Sequence, residues 1–307
     1  DSGAQTDEGS RPLTSAARMD LISSAARMTA LSKEAHRAGK RVGLVPTMGA
    51  LHEGHLSLVR TARAQSDIVV VSIFVNPTQF GPKEDFSKYP RTLDQDSELL
   101  QAEKIDYIFN PTVEEIYPPG SSTWVTVEAL SEKLDGRSRP GHFRGVTTVV
   151  SKLFNIVQPD LAFFGQKDAA QSAIIRKMVR DQGSDVHIVV CPIVREKDGL
   201  AMSSRNVYLN PEQRKQATAL YRSLTRVQTL ADQGEANSSK LIAAGKQVIA
   251  EEPKVRLDYF EVVNWETLDP VHDISKGALV AVAAYLGETR LIDNLVLHGV
   301  GTAGHHH

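Results

Sequence analysis

Apolar residues along this chain switch between two spacings. Met28, Leu31 and Ala35 recur at helical intervals and Gly39 follows them, which predicts a helix ending there. Residues 41–45 predict a short strand that stops at Pro46. His52 opens a second helical stretch, with Leu56, Val59 and Ala62 on one side. The run 68–75 is apolar apart from Ser72, the pattern of a strand buried on both faces of a parallel sheet. Further strands are predicted at 107–109, 161–164 and 186–190, with helices at 93–103, 146–157 and 169–180. Strands alternating with helices predict an α/β fold, a Rossmann-like doubly wound parallel sheet with ligands at the carboxyl ends of its strands.

The texture changes after Pro192. Pro211 opens an Ala- and Gln-rich helical stretch, and 238–251 reads as another helix. Residues 257–263, 279–285 and 290–297 then alternate or run apolar, as strands of a small sheet do. Two domains are therefore expected: a Rossmann-like one over 1–193 and a smaller α+β one over 194–307 that closes over it. Residues 1–14 are polar, lack the apolar run of a secretory signal, and read as a loose tail. The closing Gly304-His305-His306-His307 resembles an affinity-tag remnant and is given no metal role. No internal repeat is visible.

A length of 307 residues suits two domains, and 41% hydrophobic with 23% charged residues is ordinary for a globular protein. The formal net charge of −2 offers no broad field for nucleic acid or an anionic membrane. No stretch approaches the roughly 20 apolar residues that span a bilayer. The single cysteine, Cys191, lies in an apolar run and reads as a buried thiol, which fits a reducing cytoplasm or organelle interior, with the cytoplasm expected.

The segment Pro46-Thr-Met-Gly-Ala-Leu-His-Glu-Gly-His55 lies where a strand ends and a helix begins. Free backbone N–H groups are expected to point outward there and bind phosphate. His52 and His55 are three apart and share one side of the helix start, where they can stabilise charge on departing pyrophosphate. A zinc motif would need histidines four apart, and a Walker A loop a lysine that this segment lacks. The bland alternative is a helix cap with two surface histidines. Phe163-Phe-Gly-Gln-Lys-Asp168 is a second strand-to-helix turn, with Lys167 a point charge for phosphate and Asp168 a cap. Gly199-Leu-Ala-Met-Ser-Ser-Arg-Asn206 is a polar loop whose hydroxyls and guanidinium can hold phosphate oxygens. Taken singly, each of these two also reads as a plain turn.

Together the three resemble the nucleotidylyltransferase superfamily with its His-x-Gly-His motif. Val45 to His55, Val75-Asn-Pro-Thr-Gln-Phe80, Phe164-Gly-Gln-Lys-Asp168 and Met202-Ser-Ser-Arg-Asn206 are similar, in order, to the pantoate–β-alanine ligase family, over residues 39–297. Gln166 stands where many members carry glutamate. The resemblance implies ATP binding by Pro46, Thr47, Met48, Gly49, Ala50, Leu51, His52, Glu53, Gly54 and His55, by Gly165, Gln166, Lys167 and Asp168, and by Val194, Met202, Ser203, Ser204 and Arg205. It implies a catalytic set of His55, His52, Lys167, Ser203, Ser204 and Arg205, with proton donation from His55. Gln79 and Gln171, with Asn76 and Met48 nearby, are implied to hold pantoate. Arg137, Arg139 and His142 are candidate basic neighbours. The implied reaction runs through a pantoyl adenylate, with β-alanine as second substrate, Mg²⁺ held mostly by phosphate oxygens, and a homodimer as the assembly. Two other readings stay open: a transferase that attaches a nucleotide to a phosphorylated precursor, and a nucleotide-sensing module without turnover.

Overall fold

The computed structural model describes residues 19–299; the expected tail at 1–14 and the segment 304–307 lie outside them. Along the chain run β1 (Asp20–Ile22), α1 (Ala25–Arg37), β2 (Val42–Thr47), α2 (Glu53–Gln65) and β3 (Ile68–Ile73). There follow α3 (Leu93–Ala102), β4 (Tyr107–Phe109), α4 (Val113–Ile116), α5 (Asp135–Ser138) and α6 (His142–Val157). The first sheet is completed by β5 (Leu161–Gly165), α7 (Ala169–Asp181) and β6 (His187–Cys191).

All five strand pairs of this sheet are parallel, in the order β1-β4-β3-β2-β5-β6. From β2 the chain winds outward through β3 and β4, then returns to lay β5 and β6 on the other flank. That reversal between β2 and β5 is the crevice where doubly wound sheets bind ligands. Val42, Leu44, Val45 and Val69 to Val71 are wholly buried, each worth about 1.5–3 kcal/mol of apolar transfer. Met28, Leu31 and Ala35 of α1 pack on one face of the sheet, while Leu56, Val59 and Ala62 of α2 pack on the other. Cys191 is buried, as expected.

Three expectations are corrected. Pro46 does not end its strand: β2 runs to Thr47, with Pro46 opposite Ser72 of β3. The ladder between β2 and β5 pairs only Gly43 and Leu44, so Pro46 lacks an N–H where none is required. The sheet gapes at that point, and the gap is the crevice. β1, three residues without an apolar period of their own, was not expected. Finally, α6 starts at His142 rather than 146, after Gly141 at φ 79°, so the basic stretch forms a helix start.

The remainder comprises α8 (Pro211–Gln216), α9 (Ala219–Asp232), α10 (Ser238–Ala250), β7 (Val255–Val263), β8 (Ala278–Leu286) and β9 (Thr289–Leu297). The three strands form an antiparallel sheet in chain order. Its centre, β8, is buried on both faces by a period of two. Val280, Val282 and Ala284 pack with α9 and α10, while Leu279, Ala281 and Ala283 join the core that holds α6 and α7. Arg290 of β9 adds an ionic contact, its guanidinium donating to Asp135 of α5 at 2.6 Å and to Asp258 of β7 at 2.9 Å.

Candidate active site

At the end of β2 the chain turns through Met48 to Leu51 and enters α2. His52 is the N-cap: its Nδ1 accepts from the Gly54 N–H at 3.0 Å, and the His55 Nδ1 accepts from the His52 N–H at 3.1 Å. The two rings lie against each other, centroids 4.0 Å apart and planes tilted by 41°. A side chain at Gly54 would lie 2.7 Å from the His52 ring, so this approach requires glycine. Because each Nδ1 faces a backbone donor it must be the unprotonated nitrogen, which leaves Nε2–H on both neutral rings. Both rings line the cleft. Burial, then the Lys167 charge, lowers the His52 pKa to about 4. Burial, then His52 and Lys167, holds His55 well below the usual imidazole range. The pair are therefore uncharged donors near neutrality.

This corrects the expectation of free amides at the turn. The Gly49 N–H donates to Thr47 Oγ1, while those of Ala50 and Leu51 donate to the buried Asp96 carboxylate, each at 3.0 Å. His52 and Gly54 N–H are taken by the two imidazoles. The bland reading, a helix cap, thus holds as well, but its histidines face the cleft rather than open solvent.

Across the crevice β5 ends at Gly165, and a 3-10 turn over Gln166–Asp168 leads into α7. Lys167 and Asp168 line the cleft opposite the histidines. The third wall is the loop through Met202 to Arg205. Its Ser204 Oγ donates to the Ala50 carbonyl at 2.9 Å, and its Arg205 guanidinium donates to both oxygens of Asp85, at 3.2 and 3.1 Å.

Gln79 follows β3 in the short 3-10 turn Pro77–Gln79. Its Oε1 accepts from Asn76 Nδ2 at 3.1 Å, leaving its amide N–H groups for the cleft. Asn76, 1% exposed, spends its other polar contacts on the Gly145 carbonyl, Thr78 and Tyr117. It supports Gln79 rather than presenting a free amide. The turn rests directly on α6, where a side chain at Gly145 would lie 2.4 Å from the Thr78 carbonyl. At the start of that helix His142 Nδ1 donates to the Gln79 carbonyl at 2.9 Å, while its Nε2 faces Arg139. Burial and the Arg139 charge lower the His142 pKa to about 4. Arg139 also donates to both oxygens of Glu84, at 2.7 and 2.9 Å. That ion pair outweighs burial and brings Glu84 down to about 2.

A cavity of about 230 Å³ is lined by Pro46, Thr47, Met48, His52, Gly54 and His55, by Asn76, Gln79 and Gln171, and by Gly165, Lys167, Asp168, Val194 and Met202 to Arg205. It opens into an outer space of about 910 Å³ beneath the β8–β9 turn. Arg139 and His142 line both. Other candidates lie elsewhere. Glu53 faces outward to pair with Arg60, Arg137 is exposed and pairs with Glu261, and Gln166 turns away to Asn294. Gly49, Ala50 and Leu51 stand behind the wall. Asp96, Glu84, Asp85 and Tyr89 were missed, since nothing local marks a residue on a distant element as a partner; for Glu84 and Asp85 the arginines they serve, Arg139 and Arg205, were the available signal, and for Asp96 there was none.

A doubly wound sheet with a His-x-Gly-His helix start, a lysine turn and a serine-arginine loop around its switch point is the arrangement of the nucleotidylyltransferase-like α/β class. Residues 20–296 match the family model described as pantoate-beta-alanine ligase. A pantothenate synthetase of Koribacter versatilis is 64% identical over 285 residues, covering 93% of this chain and 98% of that one. The crystal structure of pantothenate synthetase from Thermus thermophilus is 48% identical, with a TM-score of 0.86 over 90% of this chain and 99% of its own. The Francisella tularensis pantoate-beta-alanine ligase, complexed with beta-gamma ATP and beta-alanine, is 33% identical, with a TM-score of 0.76 over 91% and 97%. The chain belongs to the pantoate–β-alanine ligase family, whose reaction is the ATP-dependent condensation of pantoate with β-alanine.

Proposed function

We propose that this chain joins pantoate to β-alanine inside the cleft through a pantoyl adenylate. A pantoate carboxylate oxygen attacks the α-phosphorus of ATP, the bond to the bridging oxygen breaks, and pyrophosphate leaves. The amine of β-alanine then attacks the acyl carbon, and AMP departs with the oxygen that attacked phosphorus. The observation that carries this reading is the convergence on one cleft of a neutral histidine pair, Lys167 and two glutamines. In-line displacement at phosphorus requires positioning and charge stabilisation rather than a protein nucleophile. His52 and His55 supply Nε2–H donors that are pre-aimed because their Nδ1 atoms are anchored. Lys167 and Arg205 supply positive charge, and Ser203 and Ser204 hydroxyl donors. Gln79 and Gln171 hold the unphosphorylated acid, with Asn76 acting through Gln79, and this neutral pair disfavours a phosphorylated acceptor.

Magnesium fits this cleft as a guest of the triphosphate. Among the described residues no group of three His, Cys, Asp or Glu is placed to hold a metal, and phosphate oxygens and water would supply most of its shell. Bound there, it would neutralise charge gathering on the leaving pyrophosphate. Residues 194–307 as a separate closing domain, a homodimer and a cytoplasmic setting belong to the same proposal. No described helix is long and apolar enough to cross a membrane.

Pyrophosphate exchange tests the order of chemistry. ATP, Mg²⁺ and pantoate alone are expected to move labelled pyrophosphate into ATP without β-alanine. Oxygen-18 in the pantoate carboxylate is expected in AMP after turnover, and label remaining wholly in pantothenate rules the adenylate out.

A further inference from the structure

Strand β9 lies at the edge of the antiparallel sheet and carries two adjacent residues, Asp293 and Asn294, each 3% exposed. Polar side chains this buried persist only when their hydrogen bonds are made. Here, apart from the Asn294 N–H that donates to Asp293 at 2.8 Å, those bonds leave the small sheet. Asn294 Nδ2 donates to the Gln166 carbonyl at 2.8 Å and to the Lys167 carbonyl at 3.0 Å, and its Oδ1 accepts from Gln166 Nε2 at 3.2 Å. Asp293 accepts two bonds from the Arg195 guanidinium, at 2.6 and 2.9 Å. The same guanidinium donates to the Gly199 carbonyl at 3.0 Å. Neither Asp293 nor Asn294 lines the cleft.

We infer that Asp293 and Asn294 are positioning residues for the nucleotide half of the site. The Gln166 carbonyl belongs to the peptide plane before the Lys167 Cα, and the Lys167 carbonyl to the plane after it. Holding both planes fixes φ and ψ of Lys167 and so the direction in which its side chain leaves the chain. A carbonyl only accepts, so only the amide nitrogen of Asn294 can occupy this place; an aspartate there would present oxygen to oxygen. Asp293 performs the matching task for the serine loop. By clamping Arg195, which in turn holds Gly199, it fixes the base from which Met202 to Arg205 project. The Met202 N–H bonded to the Val194 carbonyl at 3.0 Å closes that base. Side chains alternate across a strand, so one strand serves two loops from its two faces. The small sheet thereby orients Lys167 and the serine loop without touching the ligand. The inference rests on the reading of those groups as ATP-binding.

The test compares the full chain with Lys167→Ala, Asn294→Ala, Asp293→Asn and the Lys167→Ala/Asn294→Ala double variant. Pyrophosphate exchange is measured with ATP and with pantoate varied, alongside aminolysis of supplied pantoyl adenylate by β-alanine and thermal melting. Asn294→Ala is expected to lower kcat/KM for ATP in exchange by about tenfold or more, since displacement of roughly 1 Å can cost a hundredfold. The KM for pantoate and the aminolysis rate should stay within about twofold. In the Lys167→Ala background the same change should add less than about twofold, because it acts through that lysine. Asp293→Asn keeps the shape and loses the charge facing Arg195; it should raise the KM for ATP with the same sparing of aminolysis, and it serves if Asn294→Ala does not fold. Normal exchange by Lys167→Ala would overturn the reading of the lysine and the inference with it. Impaired Lys167→Ala beside unimpaired Asn294→Ala or Asp293→Asn would overturn the inference alone. Exchange and aminolysis falling together with the melting temperature would show a merely structural role and overturn it as well.

Discussion

Replacing Asp96 by asparagine probes how the histidine turn is held. The carboxylate is 1% exposed and accepts from the Ala50 and Leu51 N–H groups at 3.0 Å and from Thr92 Oγ1 at 3.1 Å. It also holds Ala50 at φ 50°, a left-handed conformation that an alanine adopts only under constraint. An asparagine oxygen can retain one amide, but its NH₂ faces the other amide donor to donor. Losing one charge-assisted bond and orphaning a buried N–H costs about 2–3 kcal/mol. That corresponds to a melting drop of roughly 3–5 °C for a chain of this size. Leu51 immediately precedes His52, so the relaxed turn also moves both rings. Pyrophosphate exchange should fall at least about tenfold while the KM for pantoate, bound from another loop, stays unchanged. Differential scanning calorimetry and the exchange assay read both effects. Melting within about 1 °C of the parent with normal exchange would show that the carboxylate does not hold the turn.

Gln79→Ala should raise the KM for pantoate far more than that for ATP; equal rises would mean that Gln79 only shapes its loop. His52 and His142 carry folded-state pKa values of about 4, below the ordinary 6.5, so the unfolded chain takes up protons first on acidification. Their contribution is intact above about pH 6.5 and is lost as pH falls toward 4, up to about 3 kcal/mol each. Glu84, near 2 in the folded chain, begins to lose its contribution only at about pH 4.5, where the unfolded chain takes up its proton, and adds only a small part of the loss at that pH. Urea midpoints at pH 7.5 and 4.5 measure the loss, and equal midpoints would contradict neutral burial of these rings.

The sequence made the sheet legible because β2, β3 and β5 are apolar on both faces, a pattern that needs no partner to be recognised. The chemistry was legible for a related reason: His52, His55, Lys167 and Arg205 sit in turns directly at strand ends or in one polar loop. What stayed hidden acts over distance. Asp96 lies 46 residues beyond Ala50, and Asp293 lies 98 beyond Arg195, so no local spacing links them. Pro46 misled because a proline ends a strand only where its missing N–H is wanted, and that depends on where β5 stops pairing. A helix cap was among the readings of the histidine segment, but that the rings cap through Nδ1 while facing the cleft depends on which ring nitrogen faces the chain.

Alanine at 281 and 283, on the face of β8 turned toward α6 and α7, has a consequence for the shape of the enzyme. Their small side chains fill that seam with little more than a methyl group each. The β8–β9 turn, which roofs the outer space beside Lys83 and Lys88, rides on the same strand. A bulkier residue at either alanine would work as a shim, tipping the roof outward. The height of that outer space is thus gauged by two methyl groups that do not line it.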